Sequence, residues 1–256
     1  MIFTQLILAN LKTKYIGKTI EYYTKTESTN NDAWELCDEN GKDGTAIIAG
    51  LQSKGRGRQG KKWHSAPGKG LAFSVLIYPD ISTENSGLFS IAVAIAIHKA
   101  LLQYEIESQL KWPNDILIEG KKLGGILCES RISKNKVKAL VIGIGLNVNE
   151  SRDDFPPEIS AQSTSLFLRK GIPFQRERIL ASILNELEIV IEALKENQIA
   201  SVMHDWESAC GHLNKTISIQ ENDEVKTGIF SGINAQGNAR LIIDGKIKTI
   251  SSGELL

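Results

Sequence analysis

Between Gln109 and Val148 the chain carries four closely spaced apolar or alternating runs: Gln109 to Trp112, Asp115 to Ile118, Gly125 to Arg131 and Val137 to Val148. A tight Glu119-Gly120-Lys121 turn sits among them. Runs joined this closely fold back on one another, so the stretch predicts a hairpin within a larger sheet. Thr45 to Leu51 and Leu71 to Tyr78 read as further buried strands, and β-rich Lys18 to Thr24 leads into Ser28, Thr29, Asn30 and Asn31, which cap a helix begun by Ala33, Trp34 and Leu36. Helices able to cover such a sheet follow from spacing. Ser90 to Tyr104 sets Ile91, Ile95, Leu101 and Leu102 among alanines, and Phe174 to Asn197 places Ile179, Leu180, Ile183, Leu184, Leu187, Ile191 and Leu194 on one helical face. After about Gly211 the pattern changes to short strands, Thr216 to Gln220, Glu224 to Ile233, Asn238 to Asp244 and Lys246 to Ile250, separated by Asn222-Asp223, Gln236-Gly237 and Asp244-Gly245 turns. The expectation is an α+β fold: a mixed β-sheet packed on helices over residues 1–210, and a small all-β module over 211–256.

Thirty Lys and Arg balance thirty Asp and Glu over 256 residues, so no overall field draws the chain to nucleic acid or an anionic membrane. Any anion site must be local. No apolar run approaches the roughly 20 residues that span a bilayer, and Met1 to Asn10 lacks the basic start and cleavage site of a signal peptide, so it reads as the edge of a fold and the expected location is the cytoplasm. Cys37, Cys128 and Cys210 form no CxxC pair and are expected to be reduced structural thiols. His98 reads as structural, and the loose His204, Cys210, His212 grouping as solvent-facing or capping in preference to a metal site.

Three clusters carry candidate chemistry. Gln52 to Trp63 packs Lys54, Arg56, Arg58, Lys61 and Lys62 with Gly55, Gly57 and Gly60. Glycines let backbone amides close on an anion, and arginine offers a planar fork of donors to phosphate or carboxylate. By composition alone a solvated basic loop explains it equally well. Lys111-Trp112-Pro113-Asn114-Asp115 sets a lysine, an amide and a carboxylate at the mouth of a strand, where the carboxylate can hold Mg²⁺ beside cations. Lys121 and Lys122 adjoin Gly124 and Gly125, an arrangement that suits either an exposed turn or an ammonium reaching a ligand over bare backbone. Gly143-Ile-Gly145-Leu-Asn147 ends in an amide able to donate and accept toward a base, although a GxG alone is a weak signal.

Taken in order, Glu27-Ser-Thr-Asn30, Gly55-Arg-Gly-Arg-Gln-Gly60, Lys111-Trp-Pro-Asn-Asp115, Lys122-Leu-Gly-Gly-Ile126 and Gly143-Ile-Gly-Leu-Asn147 closely resemble the biotin protein ligase family. The resemblance implies a class II synthetase-like catalytic domain with a small SH3-like β-barrel at the C-terminus. It implies that Ser28, Thr29, Asn30, Gln52, Gly55, Arg56, Gly57, Arg58, Lys122, Gly124 and Gly125 hold biotin, and that Arg58, Trp63, Asn114, Lys122 and Asn147 hold ATP. Lys122, Arg58 and Lys111 become the catalytic set, Asp115 the Mg²⁺ ligand, and Trp63, otherwise readable as core, a lid against adenine. The implied partner is a biotin carboxyl carrier protein with an acceptor lysine, and a homodimer through an exposed sheet edge is expected. Too few residues precede Tyr22 to build the DNA-binding domain of the repressor-type ligases, so the expected type is monofunctional, without DNA binding.

On that reading the chain makes biotinyl-AMP and passes biotin to lysine, a reaction of two anions that depends on cations to screen their approach. Three rivals stand beside it. A lipoate or octanoate ligase would share the fold but wants an apolar tunnel where Ser28, Thr29 and Gln52 stand. A biotin-binding regulator without turnover does not need the full lysine set. A nucleic-acid module is disfavoured by zero net charge.

Overall fold

A computed structural model describes residues 1–222 and 224–256; Asp223, half of the expected Asn222-Asp223 turn, lies outside the described residues. The main sheet contains β1 (Ile20–Tyr23), β2 (Thr45–Ala49), β3 (Leu71–Ile77), β4 (Ile81–Ser82), β5 (Gln109–Lys111), β6 (Asp115–Ile118), β7 (Lys121–Ser133) and β8 (Lys136–Leu146). Its strand order is β1-β2-β3-β8-β7-β6-β5, with β4 paired to β8. β1 and β2 run parallel and the other pairs antiparallel, so the sheet is mixed. The hairpin between β6 and β7 turns through Glu119 and Gly120, both at positive φ (50° and 75°), which matches the right-handed twist of the flanking strands. β7 starts four residues earlier than the alternation predicts and thereby carries Lys122 on a strand.

Strands β2 and β3 are buried on both faces because helices cover both. On one side α2 (Thr29–Asp38) packs Ala33, with Trp34 and Leu36 beside it, against Ile47, Leu76 and Val141. On the other, α3 (Leu88–Leu102) lies against the sheet beneath α6 (Arg176–Lys195) and α7 (Ile199–Ala209), so it is apolar almost all round, while α6 buries a single stripe. α1 (Thr4–Asn10) sits on α6, and the short α4 (Pro157–Ser160) and α5 (Leu166–Lys170) follow β8. α1, α4, α5 and α7 have no counterpart in the sequence reading; α1 buries only Ile7 and carries no side-chain cap, so its pattern is faint. Among the described residues no helix is long and apolar enough to cross a membrane.

A second, antiparallel sheet contains β9 (Thr216–Glu221), β10 (Glu224–Ile233), β11 (Ala239–Ile243), β12 (Lys246–Ile250) and β13 (Glu254–Leu255), in the open order β12-β11-β10-β9-β13. Its inner residues Ile219, Phe230, Ile233, Ala239, Leu241 and Ile250 join the apolar cluster of the main sheet. Trp112 Nε1 donates to Gly237 O at 3.1 Å, and the Glu207 carboxylate on α7 accepts from Ile233 N at 3.0 Å. The two sheets thus share one core, which places β13 beside the cationic loop of the first.

Candidate active site

A cavity of about 640 Å³ opens between the loop 52–63, the glycine-bearing strands β7 and β8, the segment 111–115 and the C-terminal residues 253–256. Its floor is uncharged. Thr29 N and Oγ1 approach Gln52 Oε1 at 2.8 and 3.0 Å, and Ser74 Oγ stands 2.7 Å from both Thr29 Oγ1 and Asn30 Oδ1. Ser28, Thr29, Asn30 and Ser74 are all buried, so these bonds replace water that the groups have lost. The helix start read from the sequence delivers them, but it comes at Thr29, ahead of Ala33, and without a side-chain cap: Ser28 stands at the N-cap of α2 in an extended conformation with no capping hydrogen bond from its hydroxyl, and Thr29 and Asn30 become the first helical residues facing the cavity.

The rim is cationic. Gly55 O accepts from Trp63 N at 2.9 Å and Gly57 N donates to Lys61 O at 2.6 Å, so the loop is a narrow antiparallel fold, turned at Gln59 and Gly60 in left-handed backbone. Gly55 is needed at its base: a methyl group there would stand 2.6 Å from Trp63 O. The loop lays the Trp63 indole on bare backbone, where a methyl at Gly145 would come within 2.2 Å of the ring and one at Gly125 within 3.6 Å. Arg58 Nη1 reaches Asn114 Oδ1 at 3.4 Å, and burial lowers the pKa of its guanidinium, partly offset by Asp115. Lys122 Nζ pairs with Asp115 at 2.7 Å. Lys61 pairs with Glu254 of β13, and that pair, helped by Lys111 and Lys122, holds the Glu254 carboxyl below its ordinary value.

Of the residues the sequence singled out, Ser28, Thr29, Asn30, Gln52, Arg56, Gly57, Arg58, Trp63, Lys111, Asn114, Asp115, Lys122, Gly125 and Asn147 all line this one cavity. Gly55 and Gly124 do not line it: the first closes the base of the loop, and the second lies buried, where a methyl would stand 2.9 Å from Gly145 O. Asn147 is buried with its amide donating to Thr164 O at 2.9 Å. Sequence reasoning missed the segment that Asn147 holds, in which Gln162 O accepts from Lys122 N at 2.7 Å and Gln162 and Ser163 enter the wall. It also missed Glu254, which carries no motif and meets Lys61 only through tertiary folding. Ser74 and Glu129 were unremarked inside apolar strands.

The other reactive groups stand elsewhere. Burial pushes the Cys210 thiol up to about 11 and the His212 imidazole down to about 4, and the two touch at 3.6 Å, while His204 is exposed. Among the described residues no group of three or more His, Cys, Asp or Glu is placed to hold a metal ion.

The cavity joins a neutral hydrogen-bonding floor to a cationic, glycine-rich loop, on a mixed sheet with an appended antiparallel one, a combination suited to a small acid beside a nucleotide. Residues 22–147 match the Biotin/lipoate A/B protein ligase family, and residues 212–255 match the biotin protein ligase C-terminal domain. The bifunctional ligase/repressor BirA of Bacillus spizizenii is 32% identical over 246 residues, covering 96% of this chain and 76% of the relative. The biotin--[acetyl-CoA-carboxylase] ligase of Mycobacterium tuberculosis is 28% identical, covering 93% of this chain and 89% of its own. The biotin protein ligase of Aquifex aeolicus, solved in complex with biotin and ATP, superposes with a TM-score of 0.80 at 32% identity, over 93% of this chain and 98% of the other. The chain belongs to the biotin protein ligase family and is a ligase.

Proposed function

We propose that residues 1–210 form a catalytic unit that condenses biotin with ATP to biotinyl-5′-AMP and passes biotin to a lysine of a biotin carboxyl carrier protein in the cytoplasm, while residues 211–256 close one side of the cavity through β13. One observation carries the reading: a buried neutral floor and a cluster of cations open onto the same space. Biotin has two ends of matching character. Its ureido ring needs donors and acceptors in an otherwise apolar pocket, which Ser28, Thr29 and Gln52 supply, and its carboxylate must meet an α-phosphate.

Lys122 is the group best placed to neutralise that encounter, since its ammonium stands 3.5 Å from the point where a side chain on Gly125 would begin, with only bare backbone beneath. Arg58 and Lys111 screen phosphoryl oxygens, and Asn114, which accepts from Arg58, holds that guanidinium in place. Trp63 on Gly145 gives the nucleotide base a flat aromatic neighbour, and Asn147 stands on the same side. Among the described residues the cavity's side-chain carboxylates are Asp115 and Glu254, each paired to a lysine. A Mg²⁺ ion carried on phosphates needs only one or two carboxylates, so the donor set fits, with Asp115 as the residue that would hold it. The ion supplies charge neutralisation at the phosphates. No protein nucleophile is required, because the two substrates react with each other once aligned.

A lipoate or octanoate ligase would place an apolar chain where this floor offers hydroxyls and amides. The deciding experiment is exchange of labelled pyrophosphate into ATP by the purified protein, with mass spectrometry for retained biotinyl-AMP. Exchange that depends on biotin and not on lipoate is the expected outcome; exchange with lipoate alone, or none with either acid, overturns the proposal.

A further inference from the structure

The charge that orders the neutral floor lies one layer behind it, on β7. Glu129 Oε2 accepts three donors: Asn30 Nδ2 at 2.8 Å, Trp34 Nε1 at 3.3 Å and Arg56 Nη2 at 3.1 Å. Asn30 and Trp34 stand one turn apart on α2 and Arg56 belongs to the basic loop, so one carboxylate oxygen ties helix, sheet and loop together. An ionised carboxylate only accepts hydrogen bonds, and Leu127 O accepts from the same Nδ2 at 3.4 Å, so the two together turn the NH₂ end of Asn30 toward Glu129. Its oxygen then faces Ser74 Oγ at 2.7 Å. The amide is also clamped from below, for a methyl at Gly143 would stand 2.2 Å from Asn30 Oδ1.

Proton counting carries this polarity to the cavity. Asn30 Oδ1 has no hydrogen, so the single Ser74 hydroxyl proton goes to it. Ser74 Oγ also lies 2.7 Å from Thr29 Oγ1, and with its own proton committed it accepts there. The single Thr29 proton goes to Ser74 Oγ or to Gln52 Oε1 at 3.0 Å, on the protein side in either case, and the lone pairs of Thr29 Oγ1 are left for a donor. Gln52 Oε1 is held by the Thr29 N–H at 2.8 Å, which leaves Gln52 Nε2 as a donor. We infer that Glu129 is a positioning residue that fixes the donor and acceptor pattern of the floor. The site thereby accepts a planar group that carries N–H beside a carbonyl. The inference rests on the biotin reading above, because the ureido ring is that group.

The test uses the full-length protein in the pyrophosphate exchange assay, with KM for biotin and for ATP measured separately in Glu129→Leu, Glu129→Gln, Ser74→Ala and the Glu129→Leu/Ser74→Ala double variant. Glu129→Leu and Ser74→Ala should each raise KM for biotin about tenfold, as expected for one misdirected buried hydrogen bond, and leave KM for ATP within about twofold. Glu129→Gln keeps an acceptor oxygen and should recover most of the loss. The double variant should be little worse than the poorer single one, because both changes break the same chain. Unchanged KM for biotin, an equal rise for both substrates, or multiplying effects in the double variant overturns the inference. Should Glu129→Leu fail to fold, Glu129→Asp, which withdraws the carboxylate by one methylene, takes its place with the same expected and overturning results. A wild-type protein without biotin-dependent exchange sinks the functional reading instead, whereas an active wild type with insensitive variants sinks the role of Glu129 alone.

Discussion

The floor and the rim of the cavity solve opposite problems. Ser28, Thr29, Asn30 and Ser74 are buried and uncharged, and the last three are linked through the Ser74 hydroxyl, so their positions are set before any ligand arrives and salt has little purchase on them. Lys61 and Lys122 are half-exposed and paired with Glu254 and Asp115, so each pair can be exchanged for a phosphate or carboxylate at little cost. The difference teaches how one pocket can recognise a neutral head group tightly and still let a polyanion come and go. On the proposed function, selectivity belongs to the first region and rate to the second.

The largest expected effect breaks the comparison at the rim. Lys122→Ala should slow adenylate formation by roughly a hundredfold or more, about 3 kcal/mol of transition-state stabilisation, with KM for biotin nearly unchanged. Rapid-quench measurement of the first turnover checks it. A variant that keeps its rate and loses biotin affinity instead would move Lys122 to the floor.

The second tests what happens when a carboxylate lies inside without a cation close enough to compensate its burial. Glu150 follows Asn147 on the exit of β8, buried, with Oε2 accepting from Val148 N at 2.7 Å. Burial pushes its carboxyl up to about 7, beyond what the backbone bonds and Arg176 pull back, whereas the rim carboxylate Glu254 is held low by lysine. A raised carboxyl stabilises the fold only while protonated: that contribution is complete below the unfolded value near 4.5 and is lost as pH climbs to about 7. Wild type should therefore lose roughly 2 to 3 kcal/mol against Glu150→Gln between about pH 5 and pH 8, since each tenfold change in proton affinity on folding is worth about 1.4 kcal/mol. Denaturant melts of both proteins at the two pH values measure it, and parallel curves would refute the burial argument.

How much of this was legible in the sequence follows the same division. The rim announced itself through local composition, since cations and glycines crowd the stretch from Gln52 to Trp63 and recur at Lys122 to Gly125, and the structure brings these residues to one cavity. The floor was half legible. Ser28, Thr29 and Asn30 stand at a readable helix start, but Ser74 and Glu129 sit inside strands where nothing local separates a structural polar residue from a working one. Their meaning is a matter of register: Ser74 reaches Asn30 because β3 lies beside β8, and Glu129 does because β7 lies next beyond. Glu254 and the segment 162–164 were hidden for the same reason, as each owes its place to pairing with residues far away in the chain. α1 and α7 escaped because each buries little, Ile7 in one and Val202 with Trp206 in the other.

Two smaller effects sharpen the contrast. Thr29→Val keeps the shape of the side chain and removes its hydroxyl, stranding Ser74 and leaving the ligand without an acceptor. Biotin affinity should fall by about 1 to 2 kcal/mol, as for one buried hydrogen bond, and the loss should be the same at low and high salt. Lys61→Ala is the complement. Its pair with Glu254 is more than half exposed on the lysine side, so unfolding stability should change by less than about 1 kcal/mol. What the variant should alter is the salt dependence of KM for ATP, since one of the cations facing the phosphates is gone and Glu254 is left to repel them. Measuring KM for ATP across an ionic-strength series separates the possibilities: a flatter slope than wild type, with KM for biotin untouched, places Lys61 on the rim. An unchanged slope would mean that the pair with Glu254 serves only to fasten the loop to the second sheet.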